Sequence, residues 1–327
     1  MTNNHINSIY KHEFQENGFF IIKHYFSEEK INYYTRQIEK FKNLGVYKEE
    51  EGFVIPDGIT YCKEFWELIY EEKLIELLRV VLGDTLRYIR HSEVACDYTN
   101  TGKYKDFKEL SGWHRDHRYR ALSTKYFGFS AFDESTNPFK IAKIGVYLNS
   151  TIENKSPTVF FPKSHRDQYN ISLFESYIDK IIKYPLTFLY RNKNLLNIPR
   201  VRKYPYFLSP SIEPIEIIVE KGDAIVFDPR LIHTGSPRSG LRRILWWDYG
   251  IENIHTYDYC KYWERERTDM IYGKIQLPDE LKNLLIQKNL YLLGFENYNG
   301  ESLTERFKPK LDHVNLTKLQ KLMRIFS

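Results

Sequence analysis

The spacing of apolar residues over the first 100 positions alternates between the periods of a helix and of a strand. It predicts helices at residues 9–17, 27–43 and 65–81, strands at 19–23 and 86–96, and a polar loop at 45–60. Gly18 is suited to end the first helix, because glycine readily adopts the left-handed conformation that is common there. Ser27 is a candidate N-cap for the second helix, with Glu28 and Glu29 in its first turn.

Beyond residue 140 the apolar runs become short and are separated by turn residues. They predict strands at residues 141–148, 158–162, 215–220, 224–227 and 243–247. Short strands punctuated in this way are typical of a β-sandwich or barrel. Residues 167–210 interrupt the series with a helix-like run and basic residues, and we interpret them as a lid or an interface element. From about residue 257 the chain is helical and charged, which predicts a C-terminal cap.

Composition and charge narrow the class of protein. The 327 residues are 42% hydrophobic and 16% aromatic, enough for a sizeable core, and the net charge of +5 is spread along the chain. This charge argues against a nucleic-acid partner but would tolerate an anionic substrate. The three cysteines are widely spaced, which predicts reduced thiols in a cytoplasmic protein. The sequence shows neither a signal-peptide pattern nor a transmembrane run of roughly 18 apolar residues.

Two histidines and one aspartate are the candidate metal ligands. His114 and Asp116 are two residues apart, so on an extended strand both side chains point to the same face. His233 follows a strand-like run much later in the chain, as expected of a ligand that a sheet delivers from a second strand. Two histidines and one carboxylate on one face of an octahedron leave three positions open, which suits non-haem Fe(II) chemistry. Zinc with three protein ligands is the alternative occupant.

The short His-x-Asp pattern does not identify the ligands by itself, because other pairs in the chain resemble it. His165 and Asp167 have the same spacing, and His91 with Glu93 is the glutamate version. His117, next to Asp116, is a further candidate that a regular strand would turn to the opposite face. The surrounding sequence must therefore decide between these pairs.

Four segments, taken in order, provide that context. They are FQENGFFIIKHYFSEEKI, GWHRDH, IGVYLNSTIENKSPTVFFPKSHR and KGDAIVFDPRLIHTGSPRSGLRRILWW, within residues 14–249. The chain resembles the phytanoyl-CoA dioxygenase-like (PhyH) family of Fe(II)/2-oxoglutarate-dependent oxygenases. The resemblance implies that His114, Asp116 and His233 bind Fe(II) and are the catalytic metal centre. It also implies that His165 is a structural histidine.

The resemblance further implies a fold and a domain organisation. The expected fold is mainly β with flanking helices, built on a double-stranded β-helix, also called a jelly roll, that is cupin-like. We expect one domain over residues 1–327, with its core at about 14–250 after the N-terminal helices. A helical or loop lid would be inserted at about 167–210, and a helical extension would cap the core from about 257 to 327.

The cosubstrate 2-oxoglutarate needs an anchor for its distal carboxylate, for which a guanidinium is suited. Arg242 and Arg243 are the candidates, and on a strand they point to opposite faces, so only one can enter the barrel. The family carries its arginine after a glycine and an apolar residue, which favours Arg242. Thr234, directly after His233, is a further candidate cofactor-binding residue.

The implied activity consumes O2 and 2-oxoglutarate, releases succinate and CO2, and hydroxylates an unactivated C–H bond of a small molecule. Asp116 favours hydroxylation over halogenation, since related halogenases carry a small residue at this ligand position. A desaturase, cyclase or epoxidase on the same scaffold is an alternative. A silent metal-binding jelly-roll protein, or one that uses zinc or manganese, is another.

Basic residues offer a weak indication of the substrate and of other partners. Arg115, Arg118 and Arg120 near the metal ligands, with Arg200 and Arg202 in the insertion, would favour an anionic substrate if they face the pocket mouth. Exposed loop charges are the alternative interpretation. The basic amphipathic pattern over residues 314–326 is compatible with membrane-surface contact, or with packing against the barrel or a second subunit in an oligomer.

Overall fold

The structure is a computed structural model of the full chain. It describes eight ranges of the chain, namely residues 3–43, 53–100, 113–116, 138–151, 157–166, 213–235, 239–266 and 277–293. The predicted insertion and the basic pattern at residues 314–326 lie outside these ranges, as does His117. Within the described ranges no helix is long and apolar enough to cross a membrane.

Helices flank a largely antiparallel β-structure. The helices are α1 (Asn3–Asn17), α2 (Glu28–Asn43), α3 (Gly58–Tyr61), α4 (Glu72–Leu82), α5 (Ile254–Glu266) and α6 (Asp279–Gln287), with a 3-10 segment at Lys63–Ile69. The strands are β1 (Phe19–Ile22), β2 (Phe53–Pro56), β3 (Leu86–Asn100), β4 (Ile141–Tyr147), β5 (Thr158–Phe160), β6 (Ile215–Ile217), β7 (Ala224–Phe227), β8 (His233–Gly235) and β9 (Ser239–Ile251). The mainly β class with flanking helices is thus confirmed.

The strands form two sheets. One has six strands in the order β1-β7-β4-β9-β3-β2, and the other has three in the order β6-β5-β8. The recorded pairings are antiparallel, and the longest, between β3 and β9, has a register shift between Ile89 and Glu93. Because many pairings join strands far apart in the sequence, the chain must close long loops before either sheet is complete.

The six-stranded sheet buries both of its faces, which explains why its strands are so apolar. Val146, Leu245 and Trp247 pack with side chains of the N-terminal helices in one large cluster. Tyr147 and Ile244 instead share a cluster with residues of the three-stranded sheet. We call the latter side of the six-stranded sheet its inner face and the helix-covered side its outer face.

Two local predictions differ from the structure. The polar stretch at residues 45–60, predicted to be a loop, contains β2, which pairs with β3 through residues 93–96. The single helix predicted at residues 65–81 is broken, because the Glu71 side chain accepts a hydrogen bond from the Leu74 N–H and starts α4 there. Gly18 does end α1, with a positive φ of 85° that a glycine tolerates without strain.

Candidate metal centre

A short backbone bridge brings the two histidine ligands together. His114 and His233 lie opposite each other in an isolated antiparallel bridge next to β8. Each backbone N–H donates to the carbonyl of the other residue at 2.9 Å. Directly opposed residues in such a pair project to the same side of the ladder, so the two imidazole rings are adjacent, with centroids 4.3 Å apart.

Asp116 completes the group from a bend two residues after His114. Its Oδ1 atom lies 3.5 Å from His114 Nε2 and 3.7 Å from His233 Nε2. Two ligand atoms that each bind one first-row ion at about 2.1 Å lie at most about 4 Å apart, so both distances fit one shared ion. Within the described part of the chain, these three residues are the group of His, Cys, Asp and Glu side chains that could hold a metal ion.

The protonation state of His233 suits metal binding. The carbonyl oxygen of Leu231 lies 2.9 Å from Nδ1, so this nitrogen carries the proton and Nε2 is left as the ligand atom. Burial, followed by the charge of the nearby His114 imidazole, lowers the pKa of His233 to about 3. The neutral imidazole is therefore the form present near neutral pH, as a metal ligand requires.

Lys143, in the middle of β4, binds the second oxygen of Asp116. Its Nζ donates to Asp116 Oδ2 at 3.0 Å, and both side chains are buried. Burial alone would raise the pKa of Asp116, but the charge of Lys143, the interaction with His233 and the hydrogen bond with His114 hold it well below its usual range. Burial likewise opposes the charged form of Lys143, yet Asp116, Glu93 and Asp248 raise its pKa. The pair is therefore an ammonium and a carboxylate.

The side chain of Arg115 forms hydrogen bonds with backbone carbonyls near the centre. Its Nη1 donates to the carbonyl oxygen of Ser164 at 2.7 Å and also to that of Arg230. The hydroxyl of Ser164 in turn accepts from the Ile232 N–H at 2.9 Å. These bonds tie the segment that carries His114 to the turn that precedes His233. The charge of Arg115 is thus directed at main-chain carbonyls next to the ligands.

Arg242 and Arg243 lie on opposite faces of β9, as their alternation predicts. Arg243 forms an ion pair with Glu39 of α2, on the outer face. Arg242 is buried, with 8% of its surface exposed, and shares the inner face with Ile244. Thr234 is also buried, but it follows His233 directly in β8, so the same alternation turns it to the other side of that strand.

Two buried hydroxyls on the inner side were missed as site residues by the sequence analysis. The hydroxyls of Tyr147 and Thr158 lie 2.6 Å apart, so they connect the two sheets. Thr158 is two residues before Phe160, which pairs with His233 in the three-stranded sheet, so Thr158 faces the same side as His233. Lys143 was missed too, although a lysine inside the apolar run IAKIGVY is an unusual signal that could have identified it.

The competing histidines have contacts that fit structural roles. His91 Nδ1 lies 2.6 Å from Asp248 Oδ2, and its ring stacks on Trp263 with centroids 4.0 Å apart. His165 is buried, and its Nε2 lies 3.0 Å from the carbonyl oxygen of Gln15 in α1. Asp167 lies outside the described residues. Neither His91 nor His165 belongs to the group of potential metal ligands.

No curated protein matches this chain significantly. Among solved structures, it is similar to the α-ketoglutarate-dependent carbocyclase SnoK from nogalamycin biosynthesis, at 12% identity and a TM-score of 0.49, covering 77% of this chain and 85% of that one. It is similar to EctD from S. alaskensis, solved with 2-oxoglutarate and 5-hydroxyectoine, at 12% identity and a TM-score of 0.49, covering 77% of both chains.

A third similar structure is HygX from Streptomyces hygroscopicus with nickel and 2-oxoglutarate bound, at 14% identity and a TM-score of 0.45, covering 76% of this chain and 87% of that one. The family described as phytanoyl-CoA dioxygenase (PhyH) matches residues 14–244, which is more than half of the chain. This match contains His114, Asp116 and His233 and confirms the resemblance drawn from the sequence motifs. The chain therefore belongs to the phytanoyl-CoA dioxygenase (PhyH) family.

Proposed function

We propose that this protein is an Fe(II)- and 2-oxoglutarate-dependent dioxygenase that hydroxylates an unactivated C–H bond of a small molecule, with release of succinate and CO2. The observation that carries the proposal is the convergence of His114, Asp116 and His233 on one position. Two imidazoles and one carboxylate form the ligand set that non-haem Fe(II) oxygenases use, with open positions for other ligands.

The strand order supports a jelly-roll core for this enzyme. Counted from β3, the six-stranded sheet contains the first, eighth, third and sixth strands of an eight-strand series. The segment at His114 supplies the second strand of the series and pairs with β8, the seventh, beside β5 and β6. This is the alternation between two sheets that a double-stranded β-helix requires. We assign residues 14–250 to this core within one domain of 327 residues.

The surroundings of His233 suit the binding of a metal ion. His233 would bind iron through Nε2 in its neutral form, since Leu231 accepts the Nδ1 proton. The rings of Phe227 and Phe160 pack against His233 at centroid distances of 5.2 and 6.0 Å, so they keep bulk water from that imidazole. Bound Fe(II) and 2-oxoglutarate would supply the oxidation chemistry, which protein side chains cannot provide.

Arg242 is the side chain that we assign to the distal carboxylate of 2-oxoglutarate. It is buried on the inner face, where a guanidinium can form two parallel hydrogen bonds with a carboxylate in a poorly solvated setting. The hydroxyls of Tyr147 and Thr158 on the same side are suitable additional donors. Arg243 and Thr234, the other two candidates, point away from this side.

For the substrate we propose only a chemical class. We infer a small, anionic metabolite of a natural-product, sugar or acyl-linked class, and recognition of its charge would depend on basic residues other than Arg115. The guanidinium of Arg115 already binds two backbone carbonyls. Arg118, Arg120, Arg200 and Arg202, the other arginines considered for this role, lie outside the described residues.

The proposal is tested by anaerobic purification, reconstitution with Fe(II), and measurement of 2-oxoglutarate-dependent succinate formation by NMR. The wild-type protein should form succinate slowly even without its substrate, and His233→Ala should abolish this turnover. Lys140→Met, a change of a surface cation outside the centre, is the matched control. If the Fe(II)-loaded wild type binds no 2-oxoglutarate and forms no succinate, while zinc or manganese binds more tightly, the dioxygenase assignment is wrong.

A further inference from the structure

We propose that Lys143 is a positioning residue that makes Asp116 offer only one oxygen to the metal. This inference rests on the proposed function, because it concerns the same three ligands. Lys143 has an unusual position for a charged residue. All seven residues of β4 are buried, and Lys143 stands at the third of these positions with 7% of its surface exposed. A buried ammonium is retained only where a partner compensates for its lost hydration.

The two oxygens of Asp116 have different neighbours. Oδ2 accepts the hydrogen bond from Lys143 Nζ at 3.0 Å, whereas Oδ1 is the oxygen closest to His114 and His233. A carboxylate can bind an ion through one oxygen or through both. Because the ammonium engages Oδ2, rotation of the carboxylate into a two-oxygen mode would break a buried charge-assisted hydrogen bond.

Lys143 is itself held by rigid surroundings. It lies opposite Asp248 in β9 and Phe227 in β7, in the centre of the six-stranded sheet. The ring of Trp246 lies beside the ammonium, with the centroid 5.6 Å from Nζ. This ring can lie against β4 only because the neighbouring residue is Gly145, where a Cβ atom would come within 2.0 Å of the indole.

The charge of Lys143 is balanced by more than Asp116. Glu93 and Asp248 also stabilise it electrostatically. Asp248 is fixed in turn, since its Oδ2 accepts from the Tyr259 hydroxyl at 2.9 Å and lies 2.6 Å from His91 Nδ1. Asp248 lies directly opposite Lys143 and on the same face of the sheet, so the ammonium is anchored between β4 and β9 and the Asp116 carboxylate is oriented against a fixed group.

This arrangement has a chemical consequence for the ligand set. With one oxygen from Asp116, three protein atoms bind the ion and three positions stay open for 2-oxoglutarate and O2. With both oxygens bound, one of those positions would be lost. Removal of the Lys143 ammonium should therefore weaken 2-oxoglutarate binding to the metal-loaded protein without reducing metal binding itself.

The experiment compares Lys143→Met, Lys143→Arg and Lys140→Met with the wild type, using Co(II) as a redox-stable probe. Calorimetry measures Co(II) binding and then 2-oxoglutarate binding to the Co(II)-loaded protein, so no turnover is needed. We expect Lys143→Met to bind one Co(II) with undiminished affinity but to bind 2-oxoglutarate about 10- to 100-fold more weakly, the range by which loss of a metal ligand's partner usually lowers activity. Lys143→Arg should restore most of the affinity, and Lys140→Met should match the wild type.

A crystal structure of Co(II)-loaded Lys143→Met should have both oxygens of Asp116 bound to the ion. The inference is overturned if this variant binds 2-oxoglutarate as the wild type does, or if Co(II) binding and 2-oxoglutarate binding are lost together. Should Lys143→Met fail to fold, Lys143→Leu, which likewise removes both the charge and the donor, undergoes the same comparison with the same criteria. Failure of the proposed function would be distinct, since the wild type itself would then not bind Co(II) and 2-oxoglutarate.

Discussion

The adjacent arginines of β9 allow a matched test of cosubstrate binding, because they have opposite surroundings. Arg242→Ala would remove a buried guanidinium on the inner face. Each charge-assisted hydrogen bond contributes about 1.5–3 kcal/mol, so the loss of a two-bond contact with a carboxylate should cost about 3 kcal/mol or more. This corresponds to a dissociation constant for 2-oxoglutarate that is roughly 100-fold higher.

Arg243→Ala should act on stability instead. Arg243 pairs with Glu39, whose side chain is 34% exposed, so solvent screens the ion pair and its loss should cost only about 0.5–1 kcal/mol of unfolding free energy. The assays are anaerobic titration of Fe(II)-loaded protein with 2-oxoglutarate, the apparent Michaelis constant for succinate formation, and urea unfolding of each variant. If Arg243→Ala weakens 2-oxoglutarate binding more than Arg242→Ala does, the assignment of the clamp is incorrect.

Three further predictions concern the surroundings of the centre. Gly145→Ala should destabilise the fold by about 1–3 kcal/mol, because the new methyl group overlaps the ring of Trp246; a denaturation midpoint equal to that of the wild type would contradict this. Arg115→Ala should weaken Co(II) binding at least tenfold, since the His114 segment loses its hydrogen bonds to the turn before His233. Calorimetry measures this affinity, and a dissociation constant equal to that of the wild type would contradict the prediction. In the metal-free protein the pKa of His233 is lowered from 6.5 to about 3, so the unfolded chain binds more protons between these pH values. The unfolding free energy should therefore fall from pH 7 to pH 5, and less so in His233→Gln; equal pH dependence in urea titrations would refute the assignment.

The grouping of the three candidate metal ligands was predictable from sequence because it depends largely on local rules. The spacing of His114 and Asp116 fixes their common face once the segment is extended, and the order of the family motifs selects His233 among the other histidines. Because side chains alternate between the two faces of a strand, Arg242 and Arg243 also had to point to opposite faces of β9. Which of them faces inward depends on where α2 packs, and the sequence pattern alone does not contain that information.

Other parts of the site could not be predicted, because they depend on pairing between distant strands. The contact of Lys143 with Asp116 requires β4, in the six-stranded sheet, to lie next to the first ligand segment in one particular register. The partnership of Tyr147 with Thr158 likewise joins the two sheets. Similarly, β2 is a short apolar run within a polar, glycine- and proline-bearing stretch that resembles a loop, and its pairing with β3 makes it a strand.

The bridge between His114 and His233 also has a consequence for the way the protein matures. The two residues are more than a hundred positions apart, and their backbones meet through a single pair of hydrogen bonds. During synthesis the first histidine and the aspartate emerge long before their partner, so the complete three-residue group cannot exist until the chain has been made as far as β8. Iron loading is thus a late event that follows correct topology, and a bound ion would lock this closure by mass action.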